Sequence, residues 1–444
     1  MFAIKSTRVV FCNEIKPAVL LINNGVIESI LDTLPIDTAY TIIDAGNKIV
    51  MPGVIDTHVH INEPGREDWE GFETATKAAI AGGVTLLVDM PLNASPVTTT
   101  VLALQQKITA ATGKLYCNVG FWAGIVPGNQ QQISALANAG VLGFKAFLTH
   151  SGIDEFPNVT KADLQIAMPI IAANKLPLLV HCELMDGTVI PVSTNIKSYK
   201  NYVATRPTKW EDDAIELMIQ LCATYNCAVH IVHLSAATSI NQIKHAKQQG
   251  LPITVETGQH YLYFNAEEIP DGNTAFKCAP PIRDKQNNDA LWDALQNNII
   301  DFVATDHSPA TPNLKEVESG DFIKAWGGIA SIQFALPVLY TAAKKRNATF
   351  TEMVKWLCEK PAILAGLQHI KGKIAIGFDA DIIIVDDEKM FTVTEQMILH
   401  KHKLTPYLQH QLCGVVTHTF LAGNLVFENG IVNEKKQGKI ILKK

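Results

Sequence analysis

The chain has 444 residues, 47% hydrophobic and 18% charged, against about 25% charged in an average soluble protein. Glycine and proline number 28 and 21, which excludes collagen-like and low-complexity organisation. A net charge of −6 gives no basic footprint for a nucleic-acid binder, so a well-packed protein with a sizeable core remains.

Residues 1–52 read as short strands and turns, with Asn23-Asn24-Gly25 as a hairpin signal. From 53 to 371, apolar strand-like runs alternate with helical patterns. Strands are expected at 54–58, 84–90, 115–121, 142–148, 178–181, 228–233, 253–256 and 300–305, with helices such as 69–81 and 210–225 between them. Eight such units fit an α/β fold of the (β/α)8 TIM barrel type, and an open doubly wound sheet is the competing arrangement. Residues 372–444 return to strands. The expectation is a small β-sandwich domain built from both ends, 1–52 and 372–444, and interrupted by the barrel at 53–371.

Targeting signals are absent from the residues. The 8 cysteines form no CxxC pair, and the N-terminal stretch MFAIKSTRVVFCNEIK is broken by charges every few residues. The longest apolar run, 78–88, holds Gly82, Gly83 and Thr85 and is too short to span a bilayer. A cytoplasmic location with reduced thiols is the expectation.

Polar residues at strand ends carry the chemistry. His58 and His60, in DTHVH, project together from the end of the first barrel strand, because residues i and i+2 share a face. Two imidazoles so placed suit a divalent metal such as zinc, although a hydrogen-bonded structural pair has the same spacing. His181 ends the run LLV, His233 ends VHIV and Asp306 follows FVAT. All stand at the carboxyl end of a strand, where barrel active sites lie. Lys145, in GFKAFL, is an amine among apolar neighbours. It reads either as a buried ion pair or as a neutral amine that takes up carbon dioxide to become an anionic carbamate bridging two metals. His307, beside Asp306, reads as support for the ligands, and His230, at odd spacing from His233, as structural.

This set, in this order, resembles the amidohydrolase superfamily, within the cyclic amidases that include dihydroorotase, hydantoinase and allantoinase. The resemblance spans nearly the whole chain. Segments 53–93 (GVIDTHVHINEPGREDWEGFETATKAAIAGGVTLLVDMPLN), 143–160, 276–284 (FKCAPPIRD), 305–309 (TDHSP) and 320–329 (GDFIKAWGGI) are similar to the allantoinase family. The resemblance implies two divalent metals per chain, zinc by default, with manganese, cobalt, nickel or iron also accepted by such donors. It implies His58 and His60 on one metal, His181 and His233 on the other, and N6-carboxylated Lys145 bridging both. Asp306 would ligate the first metal and shuttle the proton as the catalytic acid–base group. The implied reaction is hydrolysis of allantoin to allantoate, and the implied assembly a homotetramer.

Two departures separate the chain from dihydroorotase. That family has HxHxR, with the arginine gripping a substrate carboxylate, where this chain has Asn62. It also has a histidine where this chain has Ala310. Asn62 suits a neutral ureido arm or serves as a turn residue before Pro64-Gly65. Asn93 reads equally as a pocket amide or a turn former. Ser308 is expected to meet the ring amide, and Gly327, in the paired glycines of 320–329, to let backbone approach a ligand, unless that loop is a plain glycine-rich connection. Glu63 is expected to tune a histidine or to form a salt bridge. Dihydroorotase or hydantoinase activity, or a non-catalytic scaffold that has lost its metals, are the competing functions.

Overall fold

The computed structural model describes residues 1–34, 41–187 and 194–443. The chain opens with β1 (Phe2–Val10), β2 (Ile15–Asn23), β3 (Val26–Leu31), β4 (Thr41–Asp44) and β5 (Ile49–Pro52). The β2–β3 hairpin turns at Asn24 (φ 49°) and Gly25 (φ 85°), the two left-handed positions of a type I′ turn. After the barrel, β14 (Ile382–Thr392), β15 (Gln411–Leu421), β16 (Asn424–Glu428) and β17 (Ile431–Val432) complete one mixed sheet with the first five strands. It runs β17-β16-β15-β14-β5-β1-β2-β3, with β4 also paired to β1. The two chain ends meet at the antiparallel β14–β5 pair.

Between the ends lie β6 (Val54–Val59), β7 (Val84–Asp89), β8 (Asn118–Gly124), β9 (Gly143–Phe147), β10 (Leu178–His181), β11 (Val229–Ile231), β12 (Ile253–Gly258) and β13 (Phe302–Ala304). They pair in parallel in sequence order from β6 to β13. Such strands are covered on both sides, which is why they read as apolar runs. The ring is drawn together where Val59 bridges His307 in parallel and the His60 N–H donates to the His307 carbonyl at 2.8 Å. The strand that follows β5 begins directly beyond Gly53, where a Cβ would lie 2.3 Å from the Thr85 hydroxyl oxygen.

All eight expected barrel strands are present, most with ends differing by one or two residues; the largest shift is at β8, which begins at Asn118 rather than 115. The Leu115 carbonyl accepts instead from Gly438, and the Lys439 carbonyl takes the Val119 N–H. Residues 438–443 thus leave the small sheet and lie along the barrel, with Lys443 donating to Gly140. The expected helices form as Phe72–Ala81 and Thr208–Tyr225. The first starts later than expected because Glu63, buried, accepts the Phe72 N–H at 2.8 Å and pairs with Lys114. Glu63 therefore caps a helix and anchors Lys114; among the described residues its hydrogen bonds go to these two and not to a histidine. Among the described residues, no helix is long and apolar enough to cross a membrane.

Candidate metal centre and substrate cavity

Each candidate ligand except Lys145, which lies midway along β9, sits where its strand leaves the barrel. His58 and His60 flank the end of β6, with their Nε2 atoms 3.3 and 3.5 Å from Asp306 Oδ1. Ligand atoms of these three buried residues lie within 4.8 Å of one another. At the end of β10, His181 Nδ1 is 2.9 Å from His233 Nε2, and the His58 and His233 ring centroids are 5.3 Å apart. Lys145, in β9, pairs in register with Leu179 of β10 and is fully buried. It lies within electrostatic range of Asp306, His181 and His233.

His233 (φ 38°) and Asp306 (φ 46°) are left-handed, so the backbone turns out of the barrel at both. Such strain costs about 1–3 kcal/mol per residue and persists where the surroundings over-determine it. Glu256 accepts the His233 N–H at 3.3 Å, and Thr305 Oγ1, itself bonded to Asp56, accepts the His307 N–H at 3.1 Å.

Burial lowers the His60, His181 and His233 imidazoles below their ordinary value, so each is neutral near pH 7, the form that binds metals. Burial also brings the Lys145 amine down to about 8, against the pull of Glu256 and Asp306. Its Nζ has no hydrogen-bond partner among the described residues. Burial pushes the Asp306 carboxyl up, but His58 and His60 overcome it and hold the group below its usual range. The donor set of neutral imidazoles, an ionised carboxylate and an orphaned buried amine fits divalent metal ions.

Of the residues behind the candidate ligands, Glu256 and Glu183 were not anticipated from sequence. Glu256 of β12 bonds His58 Nδ1, and its other oxygen is 3.1 Å from His230 Nε2. His230 also meets Thr254 Oγ1 at 2.8 Å, so it belongs to the support network. The parity argument from His233 fails because β11 ends at Ile231. Glu183 is 2.7 Å from His181 Nε2 and pairs with Arg206. Burial raises the Glu183 carboxyl, while Arg206 and His181 overcome it and hold it at about 2. Glu256 stands in an apolar run as His181 does, and that signal was open to the same reasoning. His307 Nδ1 accepts from Ser331 and Ile332 at 3.0 and 3.3 Å, so His307 supports through its backbone and ring.

The cluster floors a cavity of about 430 Å³. Asn93, Ser308 and Gly327 line it, together with Phe147, Arg206 and Trp326. Asn93 Nδ2 is 3.2 Å from His60 Nδ1, so this amide also orients a candidate ligand. Ser308 is fixed by its N–H on the Ile329 carbonyl at 2.9 Å. Asn62 is the exception among the expected substrate contacts. It is buried outside the cavity lining at φ 67°, donating to the Pro309 carbonyl at 3.3 Å, as a turn residue does.

Comparison with known proteins agrees with this geometry. Residues 49–426 match the amidohydrolase family model. The chain is 43% identical to a probable allantoinase of Oryza sativa subsp. japonica, covering 96% of this chain and 88% of the relative. It is 41% identical to an allantoinase of Streptomyces avermitilis, covering 98% and 97%. Among solved structures, the L-hydantoinase (dihydropyrimidinase) from Arthrobacter aurescens superposes with a TM-score of 0.92 at 29% identity over 100% of both chains. The D-hydantoinase from Bacillus sp. AR9 gives 0.89 at 26% identity, covering 100% and 99%. With the barrel, the histidine–aspartate cluster at its mouth and a family match over most of its length, the chain belongs to the amidohydrolase family.

Proposed function

We propose that this chain hydrolyses the cyclic amide of allantoin to allantoate at a binuclear metal centre. The observation that carries the reading is the convergence of His58, His60, His181, His233, Asp306 and the orphaned Lys145 amine at one barrel mouth. His58, His60 and Asp306 would hold one ion, and His181 and His233 the other. The buried Lys145 amine, on adding to carbon dioxide and releasing one proton, would supply an anionic carbamate as a further ligand. The ions are zinc by donor type, and manganese, cobalt, nickel or iron suit the same donors. When bound, they activate water as a nucleophile and polarise the ring carbonyl.

The chain's own groups do the rest. Asp306, ionised in the resting site, accepts a proton from the attacking water and passes it to the leaving ring nitrogen. Asn93, Ser308 and Gly327 orient the ring, while Glu256 and Glu183 hold the imidazoles in one tautomer. Asn62 acts indirectly, by fixing the Pro309 turn beside Ser308.

A neutral substrate fits the walls. Of the cations lining the cavity, Arg206 is committed to Glu183, Lys277 to backbone carbonyls, and the exposed Lys324 lies 3.8 Å from Asp321. Asn62 and Ala310 replace the cation and the histidine that a carboxylate substrate would need. The identity to allantoinases supports allantoin over other hydantoins. Family resemblance supports a homotetramer. The eight free cysteines, seven of them buried, support a reducing cytoplasmic setting.

Incubating purified protein with allantoin and following allantoate, alongside metal analysis, tests the reading. The expected result is allantoate formation with about two divalent ions per chain, lost on chelation and restored by added metal. A metal-free protein that leaves allantoin intact would support the scaffold alternative.

A further inference from the structure

Two lysines beside the cavity, Lys277 and Lys315, are buried, and neither forms an ion pair among the described residues. Their ammonium groups are satisfied by backbone carbonyls instead. Lys315 Nζ donates to the carbonyls of Lys277, Trp326 and Gly328 at 3.0, 3.0 and 2.8 Å. An ammonium has three N–H donors, so all three are used. Lys277 Nζ donates to Ile323 at 2.9 Å and to Ala325, and sits 5.1 Å over the Tyr202 ring. The Lys277 carbonyl takes a second donor, the Gly328 N–H at 2.9 Å.

The segment so held has no ladder or helix of its own, so its buried carbonyls need donors from elsewhere. Residues 323–327 are one wall of the cavity. Trp326 packs edge-on against Trp69, with ring centroids 4.8 Å apart, and its backbone N–H donates to the Leu314 carbonyl at 2.7 Å. The wall is therefore fixed on one side by aromatic packing and on the other by two ammonium groups. Among the described residues, the hydrogen bonds of both ammonium groups go to backbone carbonyls and none to a histidine of the cluster.

We propose that Lys315 and Lys277 are positioning residues that clamp the 323–328 segment, and with it the substrate-facing wall, so that they set substrate affinity and not the chemical step. The identity of that substrate rests on the proposed function; the clamp itself does not. Lys315, which does not line the cavity, gives the cleaner test.

Lys315→Met keeps the unbranched stem, one atom shorter, and removes the three donors. Steady-state kinetics on allantoin, metal content and amide hydrogen exchange of metal-loaded enzyme are read together. The clamp predicts a KM raised roughly tenfold with kcat held within about threefold, since lost uniform binding appears in KM alone. It predicts unchanged metal content and faster exchange across 314–329 but not across 178–183. Lys315→Arg, which retains donors, should recover part of the KM. Unchanged exchange in 314–329, or a loss that falls on kcat with KM unchanged, overturns the proposal. If Lys315→Met does not fold, Lys315→Gln, with two donors, carries the same comparison. Failure of both to fold makes the lysine a folding determinant and overturns the clamp. A wild-type enzyme that leaves allantoin intact would sink the functional reading, and exchange would still decide on the clamp.

Discussion

Replacing Glu256 with glutamine keeps the shape of a side chain buried at 0% exposure and removes one acceptor. In the native site one carboxylate oxygen takes His58 Nδ1 and the His233 N–H, and the other takes His230 Nε2 at 3.1 Å. Glutamine has a single acceptor oxygen, so its amide N–H₂ must face one imidazole. A buried donor left unsatisfied costs about 1–3 kcal/mol, or roughly 5- to 150-fold in an equilibrium constant. The lower end applies if His230 changes tautomer and donates through Nδ1 to Thr254 Oγ1, 2.8 Å away. His58 also loses the negative charge that makes it a better ligand, and partners behind metal ligands are worth roughly 10- to 100-fold in metal affinity or activity. Glu256→Gln should therefore bind its first metal roughly 10- to 100-fold more weakly, with most activity restored at saturating metal. Activity titrated against free metal after dialysis measures this. Wild-type metal retention and activity in Glu256→Gln would refute the argument that Glu256 orients His58.

Three further outcomes are expected. Asp306→Asn should lower kcat by about 10²- to 10⁴-fold through loss of the proton shuttle, and single-turnover rates measure it. Lys145→Ala should lose metal and activity together, with partial rescue by short carboxylic acids that replace the carbamate; full metal content without rescue would remove its bridging role. Glu70 is buried against His307 and accepts the Lys401 N–H at 3.1 Å, and burial, which raises its carboxyl, is overcome by His307 and His400, which hold it below its usual range. A lowered folded pKa gives stability that is present above the ordinary glutamate value near 4.5 and lost as pH falls below it. Glu70→Gln should thus be less stable than wild type at pH 7, and the denaturant midpoints of the two should draw together as pH falls progressively below 4.5.

Parallel strands covered on both faces leave a plain signal, a short apolar run ending in a polar residue. That is why all eight strands, and His58, His60, His181, His233 and Asp306 at their ends, were legible without coordinates. Lys145 was legible for a related reason, since an amine inside an apolar run is costly unless it is used. What the sequence concealed depends on contacts between distant segments. Glu183 meets Arg206 across 23 positions, and Lys315 meets Lys277 across 38. Glu63 stands near the histidines in sequence, yet the turn at Asn62 aims it at the helix beginning at Phe72. Asn62 likewise carried a pocket reading, but it lies outside the cavity lining and donates to the Pro309 carbonyl. The shift of β8 arose from the chain's last residues, whose pairing along 115–119 has no local signature.

The central claim is hydrolysis of a neutral cyclic ureide, and relative kcat/KM on allantoin, dihydroorotate and a 5-substituted hydantoin tests it most directly. With Asn62 and Ala310 in place of groups that grip a carboxylate, and with Arg206 and Lys277 already committed, allantoin should be opened far faster than dihydroorotate. Equal or reversed rates for allantoin and dihydroorotate would contradict the account.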